Sequence, residues 1–206
     1  SFVMDIFYFF GVSGWVWTPI TMTIQKAAIA ENTARMAMGE AAQNIYAYGF
    51  SRYQHIGGEG ATLPIALFML RAKSKKFRLL GKATIIPSIF NINEPLVYGM
   101  IVCNPFMLVP WILVSIIHSA NTYIWMKYGW AQIPYVNFDV NNLPNVISAY
   151  VQSGGHIGNV LLVIVNFIIA AVIYYPFFKV ADAYEYKKEL AKESKKAQTK
   201  IAAQMS

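Results

Sequence analysis

The sequence predicts an all-α integral membrane protein in which transmembrane helices are combined with two re-entrant hairpins and amphipathic helices. Three observations predict this class. Apolar residues make up 56% of the 206-residue chain and charged residues only 13%, whereas soluble domains carry about 25% charged residues. Between residues 83 and 126 the only charged side chain is Glu94. Basic residues are concentrated instead in a short segment, residues 71–82, and in the C-terminal tail.

Two apolar segments, residues 105–126 and residues 157–178, are long enough to cross a bilayer, since a crossing takes about 20 helical residues. The basic segment 71–82 precedes them and the lysine-rich tail follows them, and both should face the cytoplasm. Two crossings take the chain out and back, so residues 83–102 must enter and leave on one side. We therefore expect a re-entrant hairpin there. A second is expected at residues 55–70, whose apolar part is too short to span.

The N-terminal quarter of the chain divides into two stretches. Residues 2–24 are apolar, aromatic and long enough to span, but Gly11, Ser13 and Gly14 interrupt them. This centre fits a break in the helix and a packing motif of small residues equally well. Residues 25–50 alternate charged residues with Ala, Ile and Met, which favours an interfacial or solvent-facing helix.

The C-terminal third contains an outer connection and a tail. Residues 129–155 are rich in Asn, Pro and aromatic residues. Tyr135, next to Pro134, can stack on a ligand, although an ordinary interfacial tyrosine fits the composition better. Residues 179–206 alternate Lys with Asp and Glu and predict a charged cytoplasmic helical tail. We therefore divide the chain into a membrane domain, residues 1–178, and this tail.

Glu94 is the most informative single residue. A charge at the centre of a bilayer costs about 2.5–3.5 kcal/mol on insertion scales. Pro95 disfavours helix at Glu94, and Asn91, Asn93 and Gly99 tolerate the backbone angles of a break. Non-helical backbone at membrane depth persists only where it is buried in protein or lines a cavity. We therefore expect Glu94 to mark a substrate or ion site rather than to be a purely structural acid.

Other function classes are excluded by composition and spacing. The net charge of +7 is clustered, so no nucleic-acid interface is predicted. The glycine-rich run at residues 57–60 lacks the Lys-Ser/Thr pair of a phosphate-binding loop. The three histidines are scattered without metal-ligand spacing. The single cysteine, Cys103, rules out an internal disulfide and, within an apolar run, is expected to be buried and inert.

The chain resembles a known family in three runs of sequence. These are GGEGATL at residues 57–63, IIPSIFNINEPLVYG at residues 85–99 and IVCNPFMLVPW at residues 101–111. They resemble the membrane permease subunit, enzyme IIC, of bacterial sugar phosphotransferase systems, of the lactose/cellobiose/diacetylchitobiose type. The resemblance covers the C-terminal half of the family's usual length, the half that carries the sugar-binding domain. It implies that the chain lacks an N-terminal half with further spans and the dimer contacts.

The resemblance implies a set of sugar-binding residues in the two expected hairpins. The family's glutamate, which accepts hydrogen bonds from sugar hydroxyls, falls on Glu94, and Asn93 and the glycines Gly57 and Gly58 match the hairpin motifs.

Two further positions depart from the family's pattern. A histidine in a Gly-Ile-His-Gly motif that contacts the sugar is replaced here by Ser13, which can form a hydrogen bond but has no imidazole. A stacking tryptophan after a proline in the outer loop is replaced by Tyr135.

The function implied is sugar permeation without chemistry in this chain. A β-disaccharide of the cellobiose, chitobiose or lactose type would cross the bacterial cell membrane and be phosphorylated by a partner subunit that carries a phosphocysteine, enzyme IIB. No catalytic residue, cofactor or metal is expected in this chain, and a homodimer would form through the absent half. Two alternatives remain open: a proton-coupled secondary sugar transporter with Glu94 as proton carrier, and an inactive half-permease.

Overall fold

The computed structural model describes residues 2–139 and 143–205, and every regular element within these ranges is helical. The helices are α1 (Phe2–Phe9), a 3₁₀ turn (Gly14–Trp17), α2 (Thr18–Ala37), α3 (Ser51–Gln54), α4 (Leu63–Met69), α5 (Lys75–Ile89), α6 (Glu94–Leu96) with a π-helical continuation (Val97–Ile101), α7 (Pro105–Lys127), α8 (Asn145–Gln152) and α9 (Ile157–Met205).

Two helices are long and apolar enough to cross a membrane. They are α7 and the part of α9 from Ile157 to Lys196, and they contain both segments predicted as spans. α7 begins where the Asn104 side chain accepts a hydrogen bond from the Phe106 amide at 3.1 Å, with Pro105 at the first helical position. α7 and α9 pack against each other extensively. Large apolar side chains such as Val172 remain exposed on their outer faces, as expected where lipid is the solvent.

Polar side chains fasten the short helix α3 between these two long helices. The Asn166 amide donates to the Tyr53 carbonyl at 2.7 Å, and the Asn159 amide donates to the Tyr53 hydroxyl at 2.8 Å. On the α7 side, His118 Nδ1 lies 2.8 Å from the Gln54 carbonyl oxygen. Because all of these groups are buried, the bonds fix the position of the chain that follows α3.

The predicted interruptions of helix are present. The apolar N-terminal stretch is broken after α1, where Gly11 has φ = +92°, so the break is the correct one of the two interpretations offered. The chain is also non-helical at residues 55–62, the first break, and at residues 90–93, the second break. The helix expected over residues 25–50 is shorter than predicted, because α2 ends at Ala37.

The charged tail, as a continuation of α9, packs on the basic segment. α9 runs without interruption through residue 178, and Asp182 accepts hydrogen bonds from the Lys73 and Ser74 amides at 2.8 and 2.9 Å. About two helical turns further along, Glu189 accepts hydrogen bonds from the Ser74 hydroxyl and from the Lys75 and Lys76 amides at the start of α5. The carboxylates therefore supply partners for the amides that open α5.

An exposed ion pair adds to this contact. Lys75 Nζ lies 2.9 Å from a carboxylate oxygen of Glu193. This hydrogen bond, and then the charge of Glu193, raise the pKa of Lys75 above its ordinary value.

Candidate functional site

A cavity of about 200 Å³ lies where α1, the 3₁₀ turn and α2 meet the two breaks. Its walls combine two carboxylates, an imidazole, a guanidinium, several amides and a set of aromatic rings. The residues that carry these groups are Glu59, Glu94, His55, Arg52, Gln25, Gln54, Asn91, Asn93, Tyr8, Trp15, Tyr46 and Phe50.

The first break is a tight glycine turn that packs directly on the second break. Gly57 and Gly58 have φ values of +80° and +97°, in the region that favours glycine. A Cβ atom on Gly58 would lie 2.2 Å from the side chain of Asn93, and one on Gly57 would collide with Leu63. Gly58 therefore lets the two breaks touch each other, and Gly57 lets the turn close on the start of α4.

Asparagine side chains then join the two breaks by hydrogen bonds. The Asn93 amide donates to the Glu59 carbonyl and to the Thr62 hydroxyl, both at 2.7 Å. Asn91 Oδ1 accepts from the Gly57 amide at 3.1 Å. Asn91 itself has φ = +64°, which asparagine tolerates better than most residues. Two backbone groups of the first break, the Gly57 amide and the Glu59 carbonyl, are thus satisfied by side chains of the second break.

Glu94 opens α6 immediately after the second break, with its carboxylate at the cavity wall. The Trp15 indole Nε1 lies 3.5 Å from Glu94 Oε1, the outer limit for a hydrogen bond. The Trp15 side chain is 61% exposed, so its ring offers an apolar face next to a carboxylate. A carboxylate beside an aromatic face is an arrangement that can bind the hydroxyl groups and the C–H surface of a sugar.

Glu59 supplies a second carboxylate from the first break. Its side chain packs on Gly14, since a Cβ atom there would lie 1.9 Å from Glu59 Oε1. Gly14 therefore makes room for an acid that comes from 45 residues further along the chain. One carboxylate within the first break and one directly after the second break therefore face one cavity.

His55 adds a donor to the same wall. Its Nδ1 accepts a hydrogen bond from the Gly60 amide at 3.1 Å, which requires Nδ1 to be unprotonated. The ring proton then sits on Nε2, which can donate to a bound hydroxyl. Asn145 Nδ2 donates to the His55 carbonyl at 3.2 Å, so α8 holds this part of the break in place.

The residues that the sequence predicts to bind sugar differ in their position relative to the cavity. Glu94 and Asn93 line the cavity. Gly57 and Gly58 shape the turn behind it. Ser13 does not line it; its hydroxyl accepts from the Trp15 amide at 3.4 Å at the start of the 3₁₀ turn, which carries Trp15 and Gly14.

Tyr135 also lies away from the cavity wall. Its amide donates to the Gln152 carbonyl at 3.0 Å and its hydroxyl packs on Gly154. The structure therefore assigns this tyrosine to the connection between α7 and α8. Cys103, expected to be buried, is exposed, because it follows the π-helical segment in a left-handed turn with φ = +55°.

Sequence reasoning missed most of the cavity's polar wall. Glu59 lies in the glycine-rich run that does not match a phosphate-binding loop, and His55 is one of three histidines without metal-ligand spacing. Neither pattern predicts a sugar-binding residue. The available signal was the same as for Glu94: a charged or polar side chain beside helix-breaking residues in an apolar stretch. Trp15 gave no such signal, because tryptophan is common in membrane segments.

Comparison with known proteins identifies the family. The model of the family described as "Phosphotransferase system, EIIC" matches residues 1–115, more than half of the chain. The chain belongs to this EIIC family. Its members are the membrane permease subunits of the phosphotransferase system.

Curated relatives and a solved structure agree with this membership. The chain is 37% identical over 178 residues to a putative permease IIC component of Bacillus subtilis, covering 85% of this chain and 40% of the relative. It is 41% identical over 144 residues to a cellobiose-specific EIIC component of Geobacillus stearothermophilus, covering 69% and 32%. It is 30% identical over 186 residues to a lactose-specific EIICB component of Staphylococcus aureus, covering 86% and 32%.

The crystal structure of the transporter ChbC, the IIC component of the N,N′-diacetylchitobiose-specific system, shares the fold. It superposes with a TM-score of 0.83 at 33% identity, covering 91% of this chain and 44% of ChbC. The EIIC chain described here thus spans less than half the length of these relatives.

Proposed function

We propose that this chain forms the sugar-binding part of a phosphotransferase permease for a β-linked disaccharide of the cellobiose, chitobiose or lactose type. The observation that carries the proposal is the pairing of Glu94 with Trp15 in a cavity that Glu59 also faces. Sugar hydroxyls require acceptors of this kind, and pyranose rings require an apolar face. The names of the relatives, which specify cellobiose, lactose and diacetylchitobiose, support the same substrate class.

In the proposed binding mode, the carboxylates of Glu94 and Glu59 accept hydrogen bonds from sugar hydroxyls while Asn93 keeps the two breaks together. The Trp15 ring packs against one face of a pyranose, and His55 Nε2 donates to a further hydroxyl. Discrimination follows because a sugar that lacks one of these hydroxyls leaves a buried polar group unsatisfied, at about 1–3 kcal/mol. Ser13, Gly57 and Gly58 contribute by positioning these groups, whereas Tyr135 would reach a sugar only after a rearrangement of the outer connection.

The membrane arrangement belongs to the same proposal. The two breaks would be the tips of re-entrant hairpins, with non-helical backbone shielded from lipid by the asparagine bonds that join them. The chain would cross a bacterial inner membrane more than once, and the lysine-rich end of α9 would face the cytoplasm. We propose residues 1–178 as the membrane domain and residues 179–206 as the cytoplasmic tail.

The partners of the permease follow from its proposed role. The sugar would be phosphorylated by an EIIB subunit bearing a phosphocysteine, and relatives named EIICB components support a close association of the two parts. The rest of the permease would carry the contact for a homodimer. This chain would position the sugar and supply no phosphoryl chemistry.

The decisive test is sugar binding by the chain in nanodiscs, measured by isothermal titration calorimetry across a panel of β-disaccharides. Glu94→Gln should weaken binding of the best sugar about tenfold or more, because a hydrogen bond to a charged group is worth about 1.5–3 kcal/mol. Glu40→Gln is the matched control, since Glu40 is exposed and pairs with Arg35. Equal affinities for all three proteins would remove Glu94 from the site.

A transport assay separates this proposal from proton-coupled uptake, in which Glu94 would carry the proton. In vesicles with phosphoenolpyruvate and the soluble partner proteins, sugar should accumulate as sugar phosphate and persist when a protonophore is added. Loss of uptake with the protonophore, while phosphoenolpyruvate is plentiful, would favour the proton-coupled carrier.

A further inference from the structure

A separate cavity of about 600 Å³ lies between the end of α4, the segment that follows it, and α9. Its wall combines basic side chains with aromatic rings. The basic residues are Arg71, Lys73 and Lys179, and the aromatic residues are Phe68, Tyr175 and Phe178. Cations above an apolar surface are the combination that recognises an anionic amphiphile.

The cavity lies where two segments change together from apolar to charged. Residues 157–178 of α9 carry no charge and Lys179 follows them, while residues 61–70 carry no charge and Arg71 follows them. The Phe68 ring packs edge to face on Tyr175 with centroids 5.4 Å apart, so the two segments meet at the same level. Since tyrosine and basic residues are typical of the bilayer surface, this is the level of the lipid head groups.

The three basic residues of this cavity have no acidic partner, unlike two lysines at the start of α5. Lys75 Nζ lies 2.9 Å from a carboxylate oxygen of Glu193, and Lys76 Nζ lies 3.6 Å from one of Glu185. Within the part of the chain that the structure describes, no carboxylate forms an ion pair with the side chains of the cavity's three basic residues. Their charges therefore remain available to a ligand.

Asp182 also lines the cavity, but its carboxylate serves the backbone. Its two oxygens accept hydrogen bonds from the Lys73 and Ser74 amides. Arg78 donates to the Lys73 carbonyl at 3.2 Å. These bonds fix the backbone that carries Arg71 and Lys73. Three cations and one carboxylate leave the cavity with two positive charges in excess.

A stripe of exposed apolar residues leads from the cavity along one face of α9. Its members are 44–68% exposed and recur every three or four residues, as Tyr175, Val172, Ile168, Ile164 and Leu161. This spacing places them on the face that carries Lys179. From Tyr175 to Ile164 the helix rises about 16 Å, close to half of the hydrocarbon core of about 30 Å. The stripe therefore has the length of one acyl chain.

From these observations we infer that the cavity binds the phosphate of an anionic glycerophospholipid, with an acyl chain along the α9 stripe. The Arg71 guanidinium can form paired hydrogen bonds with phosphate oxygens, and Lys73 adds a second charge. Lys179 Nζ lies 5.3 Å from the centre of the Tyr175 ring, which keeps this cation at the cavity wall. The inference goes beyond sugar binding and rests only on the proposed membrane crossing of α9.

Native mass spectrometry of the chain in detergent, titrated with dioleoyl phosphatidylglycerol, measures the affinity of this site. Arg71→Gln combined with Lys179→Gln should weaken binding about 30-fold, since each basic residue near an anionic lipid contributes about fivefold. Lys192→Gln combined with Lys195→Gln, which removes two exposed charges from the tail, is the matched control and should change nothing. Dioleoyl phosphatidylcholine, whose head group has no net charge, should bind weakly and equally to all three proteins.

Photo-crosslinking in nanodiscs that contain both lipids tests the position of the acyl chain. Benzoylphenylalanine in place of Val172 should crosslink phosphatidylglycerol in preference to phosphatidylcholine, and the Arg71→Gln and Lys179→Gln pair should remove this preference. In place of Leu113, an exposed apolar residue of α7, it should crosslink the two lipids in proportion to their abundance in either background.

Four results would overturn the lipid site. They are an equal loss of affinity in both double variants, displacement of the lipid by excess inorganic phosphate, crosslinking at Val172 in proportion to abundance, and an unchanged lipid affinity when Arg71 and Lys179 are replaced. In the last case, a loss of EIIB binding by the same variant would assign the cations to a protein partner. Absence of lipid crosslinks at both Val172 and Leu113 would instead refute the proposed membrane arrangement, so the two failures are distinguishable.

Discussion

The contact between Asp182 and the start of α5 gives the sharpest prediction about how the fold holds together. Asp182 is 5% exposed, and its two carboxylate oxygens accept hydrogen bonds from the Lys73 and Ser74 amides at 2.8 and 2.9 Å. Asp182→Ala removes both acceptors and leaves two amides without partners. Since α5 leads to the second break and Glu94, loosening its first turn should loosen one wall of the sugar cavity.

The magnitude follows from the geometry. Hydrogen bonds to a charged group contribute about 1.5–3 kcal/mol each. The Ser74 amide is buried, but Lys73 is exposed, so water can replace part of one bond. We therefore expect Asp182→Ala to lower the local opening free energy at the start of α5 by about 2–4 kcal/mol. This corresponds to a loss of exchange protection of about 30- to 700-fold.

Hydrogen exchange measured by mass spectrometry on the chain in nanodiscs resolves this effect. Peptides covering residues 73–81 should lose protection, whereas peptides from the middle of α7 should not. Glu193→Gln is the matched control: it breaks an exposed ion pair with Lys75, which contributes little to stability and still less at high salt. The reasoning is refuted if Asp182→Ala has no larger effect than Glu193→Gln, or if protection falls equally in α7.

Two further predictions concern the cavity. Gly58→Ala should destabilise the junction of the two breaks and abolish sugar binding, because the added methyl group would lie 2.2 Å from the Asn93 side chain. The control is Gly39→Ala, since Gly39 has φ = +78° and open space around it. Similar melting temperatures for the two variants would contradict the packing argument. Trp15→Leu should leave folding intact but weaken the binding of β-disaccharides about tenfold, because a stacked ring is lost next to Glu94. An unaltered affinity in calorimetric titration would show that the exposed indole does not contact the sugar.

The agreement between sequence and structure is best where composition and local backbone preference decide the outcome. The two spans follow from uninterrupted apolar length. The second break was predicted because Asn91, Asn93 and Pro95 each disfavour continuous helix at the same place. The sequence does not decide whether the helix breaks at Gly11, since a small-residue motif is compatible with close helix packing as well as with a turn.

The cavity itself depends on contacts that no local pattern encodes. Glu59 faces it because Gly14, 45 residues earlier, leaves room for its carboxylate. Stacking of Tyr135 on a sugar stays a prediction, and the packing of its hydroxyl on Gly154 is a contact that the local sequence does not indicate. Cys103 sits in an apolar run but is exposed, because the turn after the π-helical segment directs the chain outward.

The sequence by itself determined the helical membrane class, the two long apolar helices, and the break that carries Glu94, because apolar length and helix-breaking residues act within a few positions of each other. Only the tertiary structure decided which side chains share the cavity with Glu94, and that the tail of α9 binds the start of α5. Hydrogen bonds such as those of Asn93 and Asp182 join residues 34 to 109 positions apart, and such pairings become determined only when the helices pack.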